Sequence, residues 1–272
     1  MCVHRGEEPP LNPIVNVFFN HCNLQCIYCQ NWQISQGKKS KVKGETYTVD
    51  TLADLIVSRL SALASHLSPL LGLVTAAHYA DQLPALLDAV HRRGITPTVV
   101  YNSGGYESVD TLRSLEGLVD VYLPDFKYMD AALADAYSHA PDYPEVATAA
   151  LKEMMRQVGV GLKLDDEGRA YRGMIVRHLV LPGHVANSLA VLDQLAQLPT
   201  TNYKLPTLSL MAQYYPPQPG LPAPLDRGVT LEEYGAVVDH AVALGLTDGW
   251  IQELGACDSY RPDFDNADTP FR

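Results

Sequence analysis

The strongest constraint on the fold is a regular alternation of short apolar, β-branched runs with longer segments of helical periodicity. Seven runs read as strands, at 14–19, 71–75, 96–101, 119–123, 174–181, 208–213 and 249–252. Seven other segments repeat apolar residues at helical spacing, at 50–66, 82–93, 108–115, 130–138, 143–158, 187–198 and 230–244. Such strands and helices form βαβ units, whose right-handed crossovers build a parallel sheet. The pattern predicts an α/β fold, a full or partial (β/α) barrel.

The chain length of 272 residues suits one barrel domain, and no linker or internal repeat divides it. Residues 1–255 are predicted to form that domain. Within it, 161–172 reads as an inserted hairpin, and the proline-rich run 214–224 reads as a loop. Residues 256–272 read as a polar C-terminal tail. Asp50 stands where a helix N-cap belongs, and Gly94 stands where a helix should end.

The charge balance limits the partners of the chain. It has 31 acidic and 20 basic residues, a net charge of −11, which argues against nucleic acid or an anionic membrane as the main partner. No apolar run approaches the roughly 18 residues of a membrane span, and no apolar signal segment opens the chain. The sequence therefore predicts a cytoplasmic protein. Its five cysteines, an odd number, do not look like a disulfide framework, so metal binding or chemistry remains.

Three of these cysteines lie within eight residues, directly after the first predicted strand. Cys22, Cys26 and Cys29 have the spacing Cys-x3-Cys-x2-Cys, which lets their sulfurs converge on a soft metal centre. Three ligands are one short of a closed zinc site or a fully ligated four-iron cluster. Such a cluster would leave one iron open to a non-protein ligand. Structural zinc, with His21 or Cys257 as fourth ligand, and a ferredoxin-like electron carrier remain as alternatives.

The cysteine spacing, with an aromatic residue before the last cysteine, resembles the radical S-adenosylmethionine (SAM) superfamily. Further segments resemble its pyruvate formate-lyase activating enzyme-like branch of uncharacterised Fe–S proteins. They are CNLQCIYCQNWQIS at 22–35, VYNSGGYE at 100–107, DVYLPDFKY at 120–128, EMMRQVG at 153–159, RGMIVRHLVLPG at 172–183 and MAQYYP at 211–216. The resemblance implies a single-domain, partial (β/α)6-type radical SAM barrel with its cluster loop at 20–35.

The resemblance also implies the cofactors and their chemistry. Cys22, Cys26 and Cys29 would hold a [4Fe–4S] cluster, and SAM would chelate the fourth iron. Reductive cleavage of SAM would give methionine and a 5′-deoxyadenosyl radical that abstracts hydrogen from a substrate. Tyr28, between the last two cysteines, would pack near the adenine; its alternative role is that of an ordinary loop aromatic.

The other cofactor contacts are expected at the carboxyl ends of strands, where a barrel places its active site. Asn102 and Ser103 follow the third predicted strand and suit the ribose hydroxyls, although turn chemistry alone also explains them. Asp125 and Lys127, two residues apart, should point to one side and are costly to bury unless paired or bound to ligand. They resemble an Asp-x-Lys motif of the activating enzymes. Arg177 would clamp the cofactor carboxylate from the barrel lumen.

Several features qualify the resemblance. Adjacent strand residues face opposite ways, so His178 should point to the helix layer as a structural histidine when Arg177 faces the lumen. The loop after the second predicted strand carries Ala76-Ala77-His78 and no carboxylate before Asp81, which leaves its contact with SAM open.

Two partners are expected. Four lysines between Lys38 and Lys43 form a basic patch that would steer an acidic flavodoxin or ferredoxin, with a merely solvated loop as the alternative. The substrate implied by the resemblance is a glycyl-radical enzyme. A small molecule or peptide is the first rival, and a non-catalytic Fe–S or metal-binding protein is the second.

Overall fold

The computed structural model describes residues 2–4, 7–36, 44–63, 69–198, 204–255 and 261–264. The strands are β1 (Cys2–His4), β2 (Ile14–Phe18), β3 (Leu70–Val74), β4 (Thr98–Ser103), β5 (Val121–Pro124), β6 (Lys163–Leu164), β7 (Ala170–Leu179), β8 (Thr207–Met211) and β9 (Gly249–Ile251). The helices are α1 (Trp32–Ser35), α2 (Val49–Leu63), α3 (Leu83–Arg92), α4 (Val109–Ser114), α5 (Ala131–Ser138), α6 (Tyr143–Val158), α7 (Val185–Ala196) and α8 (Leu231–Ala243). Short 3-10 turns cover Pro9–Leu11 and Ala77–Tyr79.

The strands form one sheet with the order β1-β2-β3-β4-β5-β7-β8-β9, and β6 pairs with β7. The pairs from β2 to β9 along this path are parallel, whereas β1 on β2 and β6 on β7 are antiparallel. In the described part of the chain β1 and β9 stay at opposite ends of the strand order, so the barrel is open. The predicted partial barrel is confirmed.

Period-two alternation along each strand separates two cores. Val15, Leu71, Val99, Tyr122 and Val176 belong to the large core cluster that includes the helices. Their neighbours on the other face form a smaller cluster inside the curved sheet, made of Leu11, Ile14, Leu70, Val100, Val121, Leu123, Ala170 and Ile175. Leu11 comes from the Pro9–Leu11 turn, so the N-terminal segment closes the floor of the lumen.

The hairpin predicted at 161–172 is confirmed: β6 pairs with the start of β7, and Gly168 at φ +79° makes the turn between them. Gly94 ends α3 with φ +87°, as predicted. The prediction for Asp50 was wrong, because the Thr48 side chain accepts the Thr51 amide at the start of α2. Asp50 instead lies in the first turn.

Residues 261–264 differ from the solvated tail that the sequence predicts. Pro262 lines the main cavity, the Phe264 ring meets the Phe18 ring edge-on at 5.3 Å, and the Phe264 amide donates to Gln33 Oε1. This short stretch therefore packs against the barrel. The rest of the predicted tail after Gly255 lies outside the described residues. No described helix is both long and apolar enough to span a bilayer.

Candidate active site

A cavity occupies the lumen at the carboxyl edge of the parallel strands. Its lining includes a residue at or near the end of six strands, namely Phe18, Val74, Asn102, Leu123, Leu179 and Met211. The cysteine loop closes its upper end, and Leu11 and Ile14 lie at its floor. Of the predicted site residues, the structure brings all nine to this cavity: Cys22, Cys26, Cys29, Tyr28, Asn102, Ser103, Asp125, Lys127 and Arg177.

Backbone and side-chain hydrogen bonds hold the cysteine loop between β2 and α1. The His21 amide donates to the Ile34 carbonyl at 2.9 Å, and Gln36 Nε2 donates to the Cys26 carbonyl at 2.7 Å. His78 Nε2 lies 2.6 Å from the Asn20 carbonyl and links the loop after β3 to the same segment. His78 thus supports the cysteine loop, and a contact of its own loop with SAM stays open.

The three thiols face the cavity with their sulfurs partly engaged by hydrogen-bond donors. Cys22 Sγ accepts from the Leu24 amide at 3.4 Å, Cys26 Sγ accepts from the Ser138 hydroxyl at 3.0 Å, and Cys29 Sγ lies 3.2 Å from Ser35 Oγ. Burial raises the pKa of Cys22 to about 12 and that of Cys29 to about 11. In this apolar setting thiolates form only with a strong compensating charge, which a metal centre supplies.

The donor set at the cavity consists of three thiols from one loop. Within the described ranges, no three His, Cys, Asp or Glu side chains converge as ligands of one metal ion. An iron–sulfur cubane takes each thiolate on a separate iron, so its ligands stand further apart. Among the described residues, the cavity lining contains these three cysteines and no histidine. His21, the suggested zinc ligand, is exposed beside the loop, and Cys257 lies outside the described residues.

Asp125 and Lys127 form an ion pair in the cavity wall after β5. Burial alone would lower the pKa of Lys127, but the negative charges of Asp125, Cys26 and Tyr143 and the hydrogen bond to Asp125 together outweigh burial and keep that pKa well above its ordinary value. Lys127 is therefore a fixed positive charge at the cavity. Both side chains line it, as their spacing predicts.

The turn after β4 is fixed by hydrogen bonds of Ser103 and by the close backbone approach at Gly105. The Ser103 hydroxyl donates to Glu107 Oε2 at 3.1 Å and accepts from the Gly105 amide at 3.1 Å. A Cβ at Gly105 (φ +74°) would lie 2.1 Å from the Asp125 carbonyl oxygen, so only glycine fits there. Ser103 is thus committed to the turn, whereas half-buried Asn102 faces the cavity. Burial raises the pKa of Glu107 to about 7.

The Arg177 side chain points into the lumen and forms ion pairs with two acidic residues of the N-terminal segment. Its Nε and Nη2 donate to Glu8 Oε1 and Oε2 at 2.7 and 2.6 Å, and Nη2 lies 3.1 Å from Glu7 Oε2. Glu8 is completely buried. The guanidinium fork is therefore already bidentate with a carboxylate of this chain. Its predicted clamp on a cofactor carboxylate stays a prediction and requires an exchange of partners.

Glu7 and Glu8 are site residues that sequence reasoning missed. Burial raises the pKa of Glu7, against the opposing charge of Arg177. Gln213 Nε2 donates to Glu7 Oε1 at 3.0 Å, which connects the end of β8 to the same group. The sequence gives only a weak signal for this role, because two acidic residues before two prolines are typical of an exposed segment. Only the fold places Glu7 and Glu8 at the lumen.

Tyr28 is almost fully buried between two other tyrosines. Its ring centroid lies 6.5 Å from that of Tyr128 and 6.2 Å from that of Tyr214, and its hydroxyl bonds to the Tyr128 hydroxyl at 2.6 Å. Tyr28 lines the cavity, and its hydroxyl accepts from Tyr128; its packing against the adenine stays a prediction. Tyr214 donates to the Leu225 carbonyl and supports the proline-rich loop.

Comparisons with known proteins agree with this arrangement. HydG, a maturase of the [FeFe]-hydrogenase, superposes with a TM-score of 0.54 and 16% identity over 88% of this chain and 52% of HydG. The chain has the fold of HydG. This confirms the predicted partial α/β barrel.

Two further matches are more limited. A domain of the pyruvate-formate lyase-activating enzyme from Bacteroides vulgatus covers 65% of this chain and 93% of that domain, with 14% identity and a TM-score of 0.45, too low to carry an argument. The uncharacterized protein MJ0674 of Methanocaldococcus jannaschii is 27% identical over 256 residues. The match covers 90% of this chain and only 66% of that protein. No protein-family model matches the sequence.

Proposed function

We propose that this chain is a radical SAM enzyme that holds one [4Fe–4S] cluster on Cys22, Cys26 and Cys29 and binds SAM in the adjoining lumen. The observation that carries the proposal is the placement of three thiols of one loop on a cavity at the carboxyl edge of a radical SAM fold. In this proposal SAM takes the fourth iron, and the described cavity lining holds no fourth cysteine and no histidine.

When bound, the cluster and SAM supply one-electron cleavage of a sulfonium C–S bond, which gives methionine and a 5′-deoxyadenosyl radical. The chain supplies the enclosure and the fixed charges. Lys127 provides a permanent positive charge beside Asp125, and Asn102 provides amide hydrogen-bonding groups on the cavity wall. Tyr28 provides a buried aromatic surface next to the cysteines. The apolar floor of Leu11 and Ile14 excludes water from below.

We propose, from the sequence resemblance, that the hydrogen donor is a backbone glycine of a partner glycyl-radical enzyme in the cytoplasm. A small molecule or peptide is the second candidate, and one observation favours it. Pro262 and Phe264 pack at the cavity and at β2, which narrows the approach to the lumen. An electron paramagnetic resonance (EPR) doublet on an added glycyl-radical enzyme would favour the first candidate.

The direct test is anaerobic reconstitution followed by iron counting and a 5′-deoxyadenosine assay. Cys26→Ala should lose both the cluster and the product, because two thiolates rarely retain a cubane. Cys257→Ala is the matched control and should keep both. Loss of metal from Cys257→Ala together with bound zinc in the parent chain would support the structural zinc alternative and overturn the proposal.

We also propose that the lysines between Lys38 and Lys43 dock an acidic flavodoxin or ferredoxin; they lie outside the described residues. Reversing the charge of Lys38, Lys39, Lys41 and Lys43 should slow SAM cleavage driven by flavodoxin, because electrostatic steering is lost. Cleavage driven by dithionite should keep its rate. Equal rates of the parent and the variant with flavodoxin would contradict the docking proposal.

A further inference from the structure

The C-terminal end of α5 is built against the cysteine loop. The Ile27 amide donates to the Tyr137 carbonyl at 2.9 Å, and the Gln25 amide donates to the Ser138 carbonyl at 3.3 Å. The last carbonyls of a helix have no partner within the helix, so the loop amides satisfy them. These two bonds flank Cys26 on either side and fix its position relative to α5.

The Ser138 side chain completes this contact. Its hydroxyl donates to Cys26 Sγ at 3.0 Å, lies 2.8 Å from the Tyr128 hydroxyl, and through it connects to Tyr28, whose hydroxyl is 2.6 Å from that of Tyr128. Ser138 and Tyr128 are no more than 1% exposed. The hydroxyl proton of Tyr128 goes to Tyr28, so the Tyr128 oxygen can act toward Ser138 only as an acceptor that competes with the Cys26 sulfur for the Ser138 proton.

Among the described residues, Ser138 donates to a cysteine sulfur from outside the cysteine loop. The contacts of these sulfurs with Asn23, Leu24 and Ser35 belong to the loop and to α1 directly after it. The bond from Ser138 is therefore set by the fold and not by local loop conformation. Its burial strengthens it, since no water competes for the sulfur.

We propose that Ser138 is a positioning residue that raises the reduction potential of the cluster at Cys26. The inference rests on the proposed function. In the one-electron step the cluster gains an electron from an external reductant, and no bond at Cys26 forms or breaks. A hydrogen bond to the ligand sulfur stabilises the more negative, reduced cluster more than the oxidised one. Removal of the donor therefore makes reduction harder.

The test is a redox titration of the reconstituted protein without SAM. The EPR signal of the reduced cluster measures the fraction reduced at each potential. At the midpoint potential of the parent chain, Ser138→Ala should lower the ratio of reduced to oxidised cluster about tenfold, equivalent to ~59 mV for one electron. Ser138→Thr, which keeps the hydroxyl, should restore the ratio. Tyr128→Phe removes the competing acceptor of the Ser138 proton and should shift the ratio in the opposite direction by less.

Two matched controls make the same chemical changes elsewhere in the core. Ser188→Ala removes a buried hydroxyl that bonds to His178, and Tyr101→Phe removes a buried hydroxyl with no hydrogen-bond partner in the described structure. Both should keep the midpoint of the parent chain.

The outcomes separate the inference from the function on which it rests. Iron content is measured first, and absence of a cluster from the parent chain defeats the proposed function itself. With full iron content, an unchanged midpoint in Ser138→Ala overturns the inference and leaves the function intact. Should Ser138→Ala fail to load iron, Tyr128→Phe decides alone, and an unchanged midpoint there counts against the proposal.

Discussion

Two adjacent residues of β7 serve opposite faces of the sheet. Arg177 follows Ile175 into the lumen, and His178 follows Val176 into the helix layer. His178 Nδ1 lies 2.7 Å from the Phe126 carbonyl, and Nε2 lies 2.9 Å from Ser188 Oγ. Because a carbonyl only accepts, Nδ1 carries the proton and Nε2 accepts from the Ser188 hydroxyl. The ring is a neutral structural group that locks β7 to α7.

This burial makes stability depend on pH. Burial lowers the pKa of His178 from 6.5 to about 4, so the unfolded chain binds a proton there before the folded chain does. The stabilisation is complete above pH 6.5 and is lost as the pH falls toward 4, by about 3 kcal/mol in total.

We expect the unfolding free energy to fall by about 1 kcal/mol more between pH 7.5 and 5.5 in the parent chain than in His178→Gln. Urea unfolding at the two pH values measures the difference. The exposed-histidine control His91→Gln should behave like the parent chain. Identical pH slopes for the parent chain and His178→Gln would contradict the assignment.

At the residue scale, the sequence predicted those site residues that are marked by a pattern of neighbouring residues. The spacing of the cysteines and the two-residue step from Asp125 to Lys127 are local patterns, so their cavity positions were predictable. Ser138 and Glu8 were not, because their roles depend on partners 112 and 169 residues away. A serine at a helix end, such as Ser138, is usually a capping or solvent-exposed residue. A glutamate before a proline, such as Glu8, is usually exposed.

At the scale of elements, periodicity located the strands and helices, while their ends depended on contacts that it does not encode. β7 begins at Ala170, four residues before the predicted strand, because its first part pairs with β6 as a hairpin arm. The start of α2 shifted because Thr48, not Asp50, provides the cap. Thr48 and Asp50 can both act as an N-cap. The backbone path that leads into the helix decides which of them does.

At the scale of the whole molecule, the sheet explains why distant motifs form one site. Each parallel strand ends at the same edge, so the segments after β2, β3, β4, β5 and β8 and the end of β7 meet around one cavity although they span most of the chain. The curvature leaves the lumen deep enough to be lined from Leu11 at the floor to the cysteines at the mouth. The N-terminal segment and residues 261–264 then close the lumen from below and from the side.

The central claim is that a three-cysteine cluster leaves one iron for SAM, and EPR of the reduced, reconstituted protein tests it most directly. Spectra are recorded with and without SAM, with S-adenosylhomocysteine as the control for nucleotide binding alone. Direct ligation of the open iron predicts a change in the g values and line shape on addition of SAM. An unchanged spectrum at saturating SAM, in protein with four irons per chain, would contradict the account.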